Sequence, residues 1–161
     1  MKIKKQYLLL AAITLIVVII ASFGGKSEYY DRYKHYKYAY FPHYSSINNP
    51  LSQKDSIQAD KIIEQAREVF TFKGDKEPVK DVGMLKRYYH ISPYTSEVEL
   101  SLEPIAGDFS KNNGFLWVVY SVKRTAADGE TLNGSWDILS YWQVKKQDDG
   151  SWKVVKIKEA A

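Results

Sequence analysis

The stretch SWDILSYWQVKKQDDGSWKVVKI, residues 135–157, decides the fold. Alternate side chains along its first half fall on one face, as they do in a long β-strand. Asp149-Gly150 is typical of a hairpin turn, because glycine readily adopts the positive φ that such a turn needs. The stretch therefore predicts two antiparallel strands joined by a tight turn. The face shared along the first strand consists of Trp136, Ile138, Ser140, Trp142 and Val144.

Two further strands precede this hairpin. Residues 115–122 read FLWVVYSV and are apolar on both faces, which indicates a central strand. Residues 97–103 alternate instead, with Val98, Leu100 and Leu102 between glutamates and a serine, as in a half-exposed strand. The sequence thus predicts an antiparallel sheet of about four strands.

Helices are predicted only before the strands. Ser52 and Asp55 have the spacing of a capping box, and apolar residues recur with a helical period over residues 53–72. A shorter helix is predicted over residues 79–89, although Gly83 is a poor helix former. Helices followed by strands predict an α+β fold, with the long helix packed on a curved antiparallel sheet.

The closing pattern Trp142-x-Val144-x-Lys146-x-x-Asp149-Gly150-x-Trp152-x-Val154 follows a capped long helix and two further strands. In this arrangement the chain resembles the cystatin-like fold of the nuclear transport factor 2-like superfamily over about residues 52–159. That superfamily hosts enzymes, ligand binders and assembly subunits on one scaffold, so the resemblance implies a fold and leaves the function open.

The resemblance also implies a cavity between sheet and helices. Members similar to ketosteroid isomerase place in it an acid, or a tyrosine paired with a carboxylate. The pocket candidates here are Tyr89, His90 and Asp137, with Tyr88, Glu99 and Asp108 beside them. Strand alternation places Asp137 opposite Trp136, where a carboxylate is ordinarily exposed. No catalytic motif of the family matches, so no catalytic residue is carried over.

Motifs for other chemistry are missing from the sequence. The three histidines, His35, His43 and His90, form no metal-ligand pair at i, i+4, and there is no cysteine. Glycine-rich phosphate loops and serine-nucleophile motifs are missing as well. We therefore predict no metal, no cofactor and no enzyme activity.

Residues 7–23 form an uncharged apolar run directly after Lys2, Lys4 and Lys5. Seventeen helical residues span about 25 Å, close to the lower limit for crossing a bilayer. Positive charge before the run places the N-terminus in the cytoplasm and the remaining chain outside. We predict a signal anchor over residues 1–25 in the cell membrane of a bacterium.

Cleavage of this segment is the alternative. Small residues at Ala21 and Gly24 would suit a signal peptidase, and the protein would then be secreted. The apolar run is longer than in most signal peptides and stays rich in isoleucine and valine to its end. For that reason we favour an uncleaved anchor.

Residues 26–50 form a tyrosine-rich segment between the anchor and the domain at 51–161. Its tyrosines recur every three or four residues, as on one face of a helix, although an alternating set would also suit a strand. Tyrosine favours the membrane interface, so an interfacial stalk or a helix packed on the domain is expected. Aromatic faces could instead stack on a cell-wall polymer. The candidate contact residues are Tyr29, Tyr33, Tyr36 and Tyr40.

Four tryptophans are expected to pack in the core of the domain, since three of them alternate with other apolar residues on predicted strands. An exposed tryptophan would be suited to stack on a sugar ring. These tryptophans are Trp117, Trp136, Trp142 and Trp152.

The net charge of +4 does not indicate a nucleic-acid-binding protein. The basic excess lies in the first 50 residues, whereas residues 51–161 carry 16 basic and 17 acidic side chains. A nucleic-acid-binding domain should carry its positive patch on the folded body.

We therefore expect a non-enzymatic, single-pass membrane protein whose outer domain binds a protein or a cell-envelope ligand. Subunits of conjugation and secretion machineries are similar in plan, which suggests an assembly subunit. A small-molecule pocket and a secreted binding protein remain the alternatives. Homodimerisation is expected through a second apolar sheet face that consists of Leu116, Tyr120, Leu139 and Tyr141.

Overall fold

The computed structural model describes residues 27–36, 41 and 43–159, which form an α+β fold. The α-helices are α1 (Glu28–Arg32) and α2 (Gln53–Phe70), and short 3₁₀ helices cover Lys34–Tyr36, Tyr44–Asn48 and Gly83–Tyr88. The strands are β1 (Glu97–Ser110), β2 (Asn113–Thr125), β3 (Thr131–Lys146) and β4 (Trp152–Glu159). The predicted membrane segment lies outside the described residues, and within them no helix is long and apolar enough to cross a bilayer.

The strands form one antiparallel sheet in the order β1-β2-β3-β4. The predicted turn between the last two strands is confirmed, with Gly150 at a φ of +82°. The Gln147 N–H donates to the Ser151 carbonyl at 2.8 Å and closes the hairpin. Each strand pairs with the strand that precedes or follows it in the chain, as expected for strands joined by short turns.

The long helix α2 begins and ends close to its predicted bounds. Ser52 Oγ accepts a hydrogen bond from the Asp55 N–H at 3.1 Å and caps the first turn. Its apolar face packs on the sheet, most closely on β1. Burial of that face stabilises the helix more than its intrinsic propensity does.

The second predicted helix is shorter than expected and is a 3₁₀ helix, Gly83–Tyr88. Gly83 has a φ of +60°, which an α-helix excludes. A Cβ at this position would lie 2.5 Å from the Val154 carbonyl oxygen, so the turn passes directly against β4. The left-handed backbone at Gly83 thus separates residues 79–82 from the helix that follows.

Apolar side chains are buried on both faces of the sheet. One cluster lies between the sheet and α2. The other lies between the sheet and the N-terminal segment, whose described residues 27–36, 41 and 43–48 we call the strap. The tyrosine-rich segment therefore packs on the sheet as part of the same domain. The buried residues of this second cluster are Tyr33, Phe41, Tyr44, Ile47, Ala106, Trp117, Leu139 and Tyr141.

A β-bulge interrupts β3 at Trp136 and Asp137. Tyr120 pairs with Ile138 and Val122 with Ser135, so two residues of β3 lie opposite Ser121. The bulge changes which side chains share a face. Trp136 is therefore separated from the buried residues that follow it, and 63% of its surface is exposed. The predictions of one continuous face and of a buried Trp136 are wrong.

Candidate functional site

The strap is fixed to the sheet by hydrogen bonds as well as by packing. Ser27 donates its N–H to Asn48 Oδ1 at 3.0 Å, which ties the two ends of the strap together. The Trp117 indole N–H donates to Ser46 Oγ at 2.8 Å. The Tyr44 O–H donates to the Tyr30 carbonyl at 2.6 Å, and burial raises the pKa of Tyr44 to about 12. The tyrosines thus position the strap on the sheet.

Asp137 links the strap to the bulge in β3. Its Oδ1 accepts a hydrogen bond from the Tyr33 O–H at 2.5 Å, and Arg32 lies 3.8 Å away. Its own N–H donates to Ser121 Oγ at 2.9 Å. Burial, and then the neighbouring carboxylate, raise the pKa of the Tyr33 phenol. Asp137 has a φ of +54°, a conformation that aspartate tolerates better than most residues. Together these contacts give Asp137 a structural role.

The tyrosines predicted as contact residues have different environments. Tyr33 is almost fully buried, at 3% exposure, whereas Tyr29 and Tyr36 are half-buried at the edge of the second cluster. Tyr40 lies outside the described residues. Packing between strap and sheet therefore accounts for the buried position of Tyr33.

The four residues predicted to form one uncovered face do not lie on one face. Leu116 and Tyr120 belong to the cluster on the α2 side. Leu139 and Tyr141 lie on the other side, where the strap covers them. Both pairs are buried within the chain, so the predicted apolar dimer surface is not exposed. Alternation within a strand does not give the register between strands: Leu116 pairs with Trp142 and Tyr120 with Ile138, so Leu139 and Tyr141 occupy the opposite face.

The three pocket candidates do not converge on one cavity. Tyr89 packs edge-on against Phe72, with 5.2 Å between ring centroids. His90 Nδ1 lies 2.9 Å from Asn133 Nδ2, and desolvation lowers the pKa of His90. Asp137 contacts the strap instead.

A partly buried polar cluster lies at Glu159, the last residue of β4. Glu159 Oε1 accepts hydrogen bonds from the Tyr88 O–H at 2.6 Å and the Tyr120 O–H at 3.0 Å. Arg87 lies 3.3 Å from Glu159 Oε2. Burial, followed by the charge of Glu159, raises the pKa of both phenols. Tyr88 was a candidate from sequence, but no spacing indicated Glu159 as its partner.

Arg124 is a buried polar residue that no sequence motif indicates. It is 5% exposed, and its Nη2 donates to the carbonyls of Phe70 and Tyr88, at 2.9 Å and 3.4 Å. Its Nη1 donates to Asn133 Oδ1 at 3.2 Å. These bonds connect the end of α2 and the 3₁₀ helix to β2 and β3. Alternation along β2 predicts only which face such a residue occupies.

The exposed Trp136 lies over Gly134 on β3. A Cβ on Gly134 would lie 2.5 Å from Trp136 Cη2, so glycine is what allows the indole to lie flat on the strand. A depression of about 350 Å³ beside the ring is lined by four polar residues of β1 and β2, together with Leu100 and Val122. We call this surface the Trp136 shelf; its polar residues are Glu99, Ser101, Ser121 and Lys123.

The shelf combines one flat aromatic face with hydrogen-bonding groups. The Lys123 Nζ lies 3.3 Å from Glu99 Oε1, so the charges beside the ring are paired. An exposed indole stacks on apolar faces, while hydroxyl and carboxylate groups orient a polar ligand. Within the described residues, no group of acidic, histidine or cysteine side chains could hold a metal ion. The arrangement is therefore suited to binding a polar molecule that has a flat apolar side.

Comparison of the chain with protein-family models, with curated proteins and with solved structures found no match. The fold of the described residues is an open four-stranded antiparallel sheet with a helix. Membership of the nuclear transport factor 2-like superfamily stays a prediction.

Proposed function

We propose that this chain is a non-enzymatic, single-pass membrane protein that displays its α+β domain outside the cell for binding a cell-envelope ligand. The Trp136 shelf is the binding surface, and a cell-wall glycan is the ligand. The single observation that carries the proposal is the exposure of Trp136 on a domain whose other large aromatic residues are mostly buried within the described part of the chain.

The chemistry of the shelf favours a glycan. Sugar rings have an apolar face of C–H groups, which can stack on an indole, and a rim of hydroxyl groups. Ser101, Ser121 and the paired charges of Glu99 and Lys123 line the depression beside the ring and can exchange hydrogen bonds with such hydroxyls. An extended polymer needs only a shallow surface, because neighbouring sugars can lie beyond the depression.

The N-terminal sequence supports display close to the membrane. Ser27, the first residue of the strap, is hydrogen-bonded to Asn48, and the uncharged apolar run of the predicted anchor ends at residue 23. Four residues span at most about 14 Å, so the tether is short. The domain would lie close to the headgroups, with the basic side chains of Arg32 and Lys34 near the start of the strap.

A protein partner remains compatible with this arrangement, and an assembly subunit is one form of it. Such a partner would contact a surface other than Leu139 and Tyr141, because the strap covers both residues.

The enzyme alternative depends on the Tyr88 and Tyr120 phenols that share the Glu159 carboxylate. These phenols already donate to that carboxylate, so a substrate would have to displace one of them. This requirement makes the binding proposal the better supported of the two.

Pelleting of the full-length protein, in neutral detergent, with insoluble cell-wall glycan tests the proposal. Trp136→Ala is expected to weaken binding about tenfold, equivalent to about 1.4 kcal/mol. Tyr94→Ala is the matched control, because Tyr94 is an exposed aromatic residue, 73% accessible, that does not line the shelf. Equal binding by the wild-type protein and the Trp136 variant would refute the proposal.

A further inference from the structure

A second cavity lies on the strap side of the sheet, between the strap and β4. Its volume is about 200 Å³, the room of about six water molecules in the liquid. Phe41, Trp117 and Tyr141 form its aromatic floor, and all three are buried. The polar lining consists of His43, Gln143, Lys156 and Lys158.

The lysines reach this cavity because of a bulge in β4. Val144 pairs with Val154 and Gln143 with Lys156, so one extra residue of β4 lies between them. Val154 and Ile157 are buried on the α2 side. Lys156 and Lys158 line the cavity on the opposite side. Without the bulge, Lys156 would share a face with Val154, since strand residues alternate.

The lining is positively charged. No carboxylate lines the cavity, and among the described residues neither Lys156 nor Lys158 forms an ion pair. Two ammonium groups on the same face of one strand repel each other, and an anion between them would remove that repulsion. The Gln143 amide and the His43 ring add hydrogen-bond donors.

We infer that this cavity binds a phosphate group. Compact ammonium charges beside N–H donors suit phosphate oxygens, and the aromatic floor can accept an apolar part of the molecule that carries the phosphate. The group could belong to a phospholipid headgroup or to a phosphate outside the membrane. The inference concerns a different surface from the Trp136 shelf and holds whether or not the shelf binds a glycan.

Nuclear magnetic resonance of the Trp117 indole N–H tests this inference on the full-length protein in neutral detergent, with labelled tryptophan. The signal is assigned by its loss in Trp117→Phe. The probes are inorganic phosphate and a short-chain phosphatidylglycerol, and short-chain phosphatidylcholine is the zwitterionic control. We expect at least one anionic probe to shift the signal saturably, and Lys156→Gln/Lys158→Gln to weaken that binding at least tenfold.

The matched control is Lys145→Gln/Lys146→Gln, which removes the same charge from exposed positions of β3. It should bind the probes as the wild type does, and the thermal unfolding of both variants should match the wild type. Saturation by phosphatidylglycerol alone would identify a lipid headgroup as the source, and saturation by inorganic phosphate would identify a phosphate outside the membrane. The inference is overturned if neither anionic probe saturates, if phosphatidylcholine binds equally well, or if both double variants lose binding equally.

Discussion

Substitution of Tyr44 tests whether the strap is part of the folded domain. Tyr44 is 1% exposed, its ring contacts that of Trp117 edge-on at 6.1 Å, and its O–H donates to the Tyr30 carbonyl. Tyr44→Phe removes only the hydrogen bond and should lower the free energy of unfolding by about 1 to 2 kcal/mol. Tyr44→Ala also removes the ring and should lower it by about 3 to 5 kcal/mol.

Urea-induced unfolding of the full-length protein in neutral detergent measures both differences from the shift of the midpoint at constant slope. Ser45→Ala is the control, because the neighbouring Ser45 is exposed and should change the free energy by less than about 0.5 kcal/mol. If Tyr44→Ala changed stability as little as Ser45→Ala does, the strap would not pack on the sheet and the reasoning would fail.

Three further predictions concern backbone conformation and pH. Gly129→Ala should lower the free energy of unfolding by about 1 to 2 kcal/mol through its φ of +86° alone, since a Cβ there would meet nothing within 4 Å. Gly83→Ala should lower it more, because its Cβ would also approach a carbonyl oxygen. Equal midpoints of urea unfolding for the two variants would contradict this. Asp137→Val should lower the free energy of unfolding by about 2 to 3 kcal/mol, because valine tolerates the positive φ poorly and cannot accept the hydrogen bond from the strap. Asp137→Asn should lower it by less than about 1 kcal/mol in the same measurement. Equal losses for the two variants would refute the role of φ. Burial raises the pKa of Tyr44 from 10.0 to about 12, so the unfolded state loses this proton at lower pH than the folded state does. Stability should therefore fall between about pH 10 and pH 12. If Tyr44→Phe showed an equally steep fall, Tyr44 would not contribute to it.

The long helix and the last hairpin could be predicted because their signals are local. Ser52 and Asp55 determine where α2 begins, and Gly150 supplies a turn that few other residues could form. Both features depend on residues within four positions of each other. Periodicity and turn chemistry are therefore sufficient to place them.

The arrangement around the sheet could not be predicted, because bulges change the phase of alternation. Trp136 was expected in the core, and a single bulge at Asp137 exposes it. The tyrosine period of the strap predicted an aromatic surface but not what it would pack against. Contacts such as Tyr33 with Asp137 join residues about a hundred positions apart, and no local pattern indicates them.

The most direct measurement of the central claim is protease treatment of intact protoplasts that carry the native protein, with intact-mass analysis of the membrane and medium fractions. A full-length protein in the membrane fraction, digested from outside down to an N-terminal fragment that contains residues 7–23, is the predicted result. A protein that starts near Ser22 or Gly25 in the medium, or a full-length protein that outside protease does not digest, would contradict membrane display.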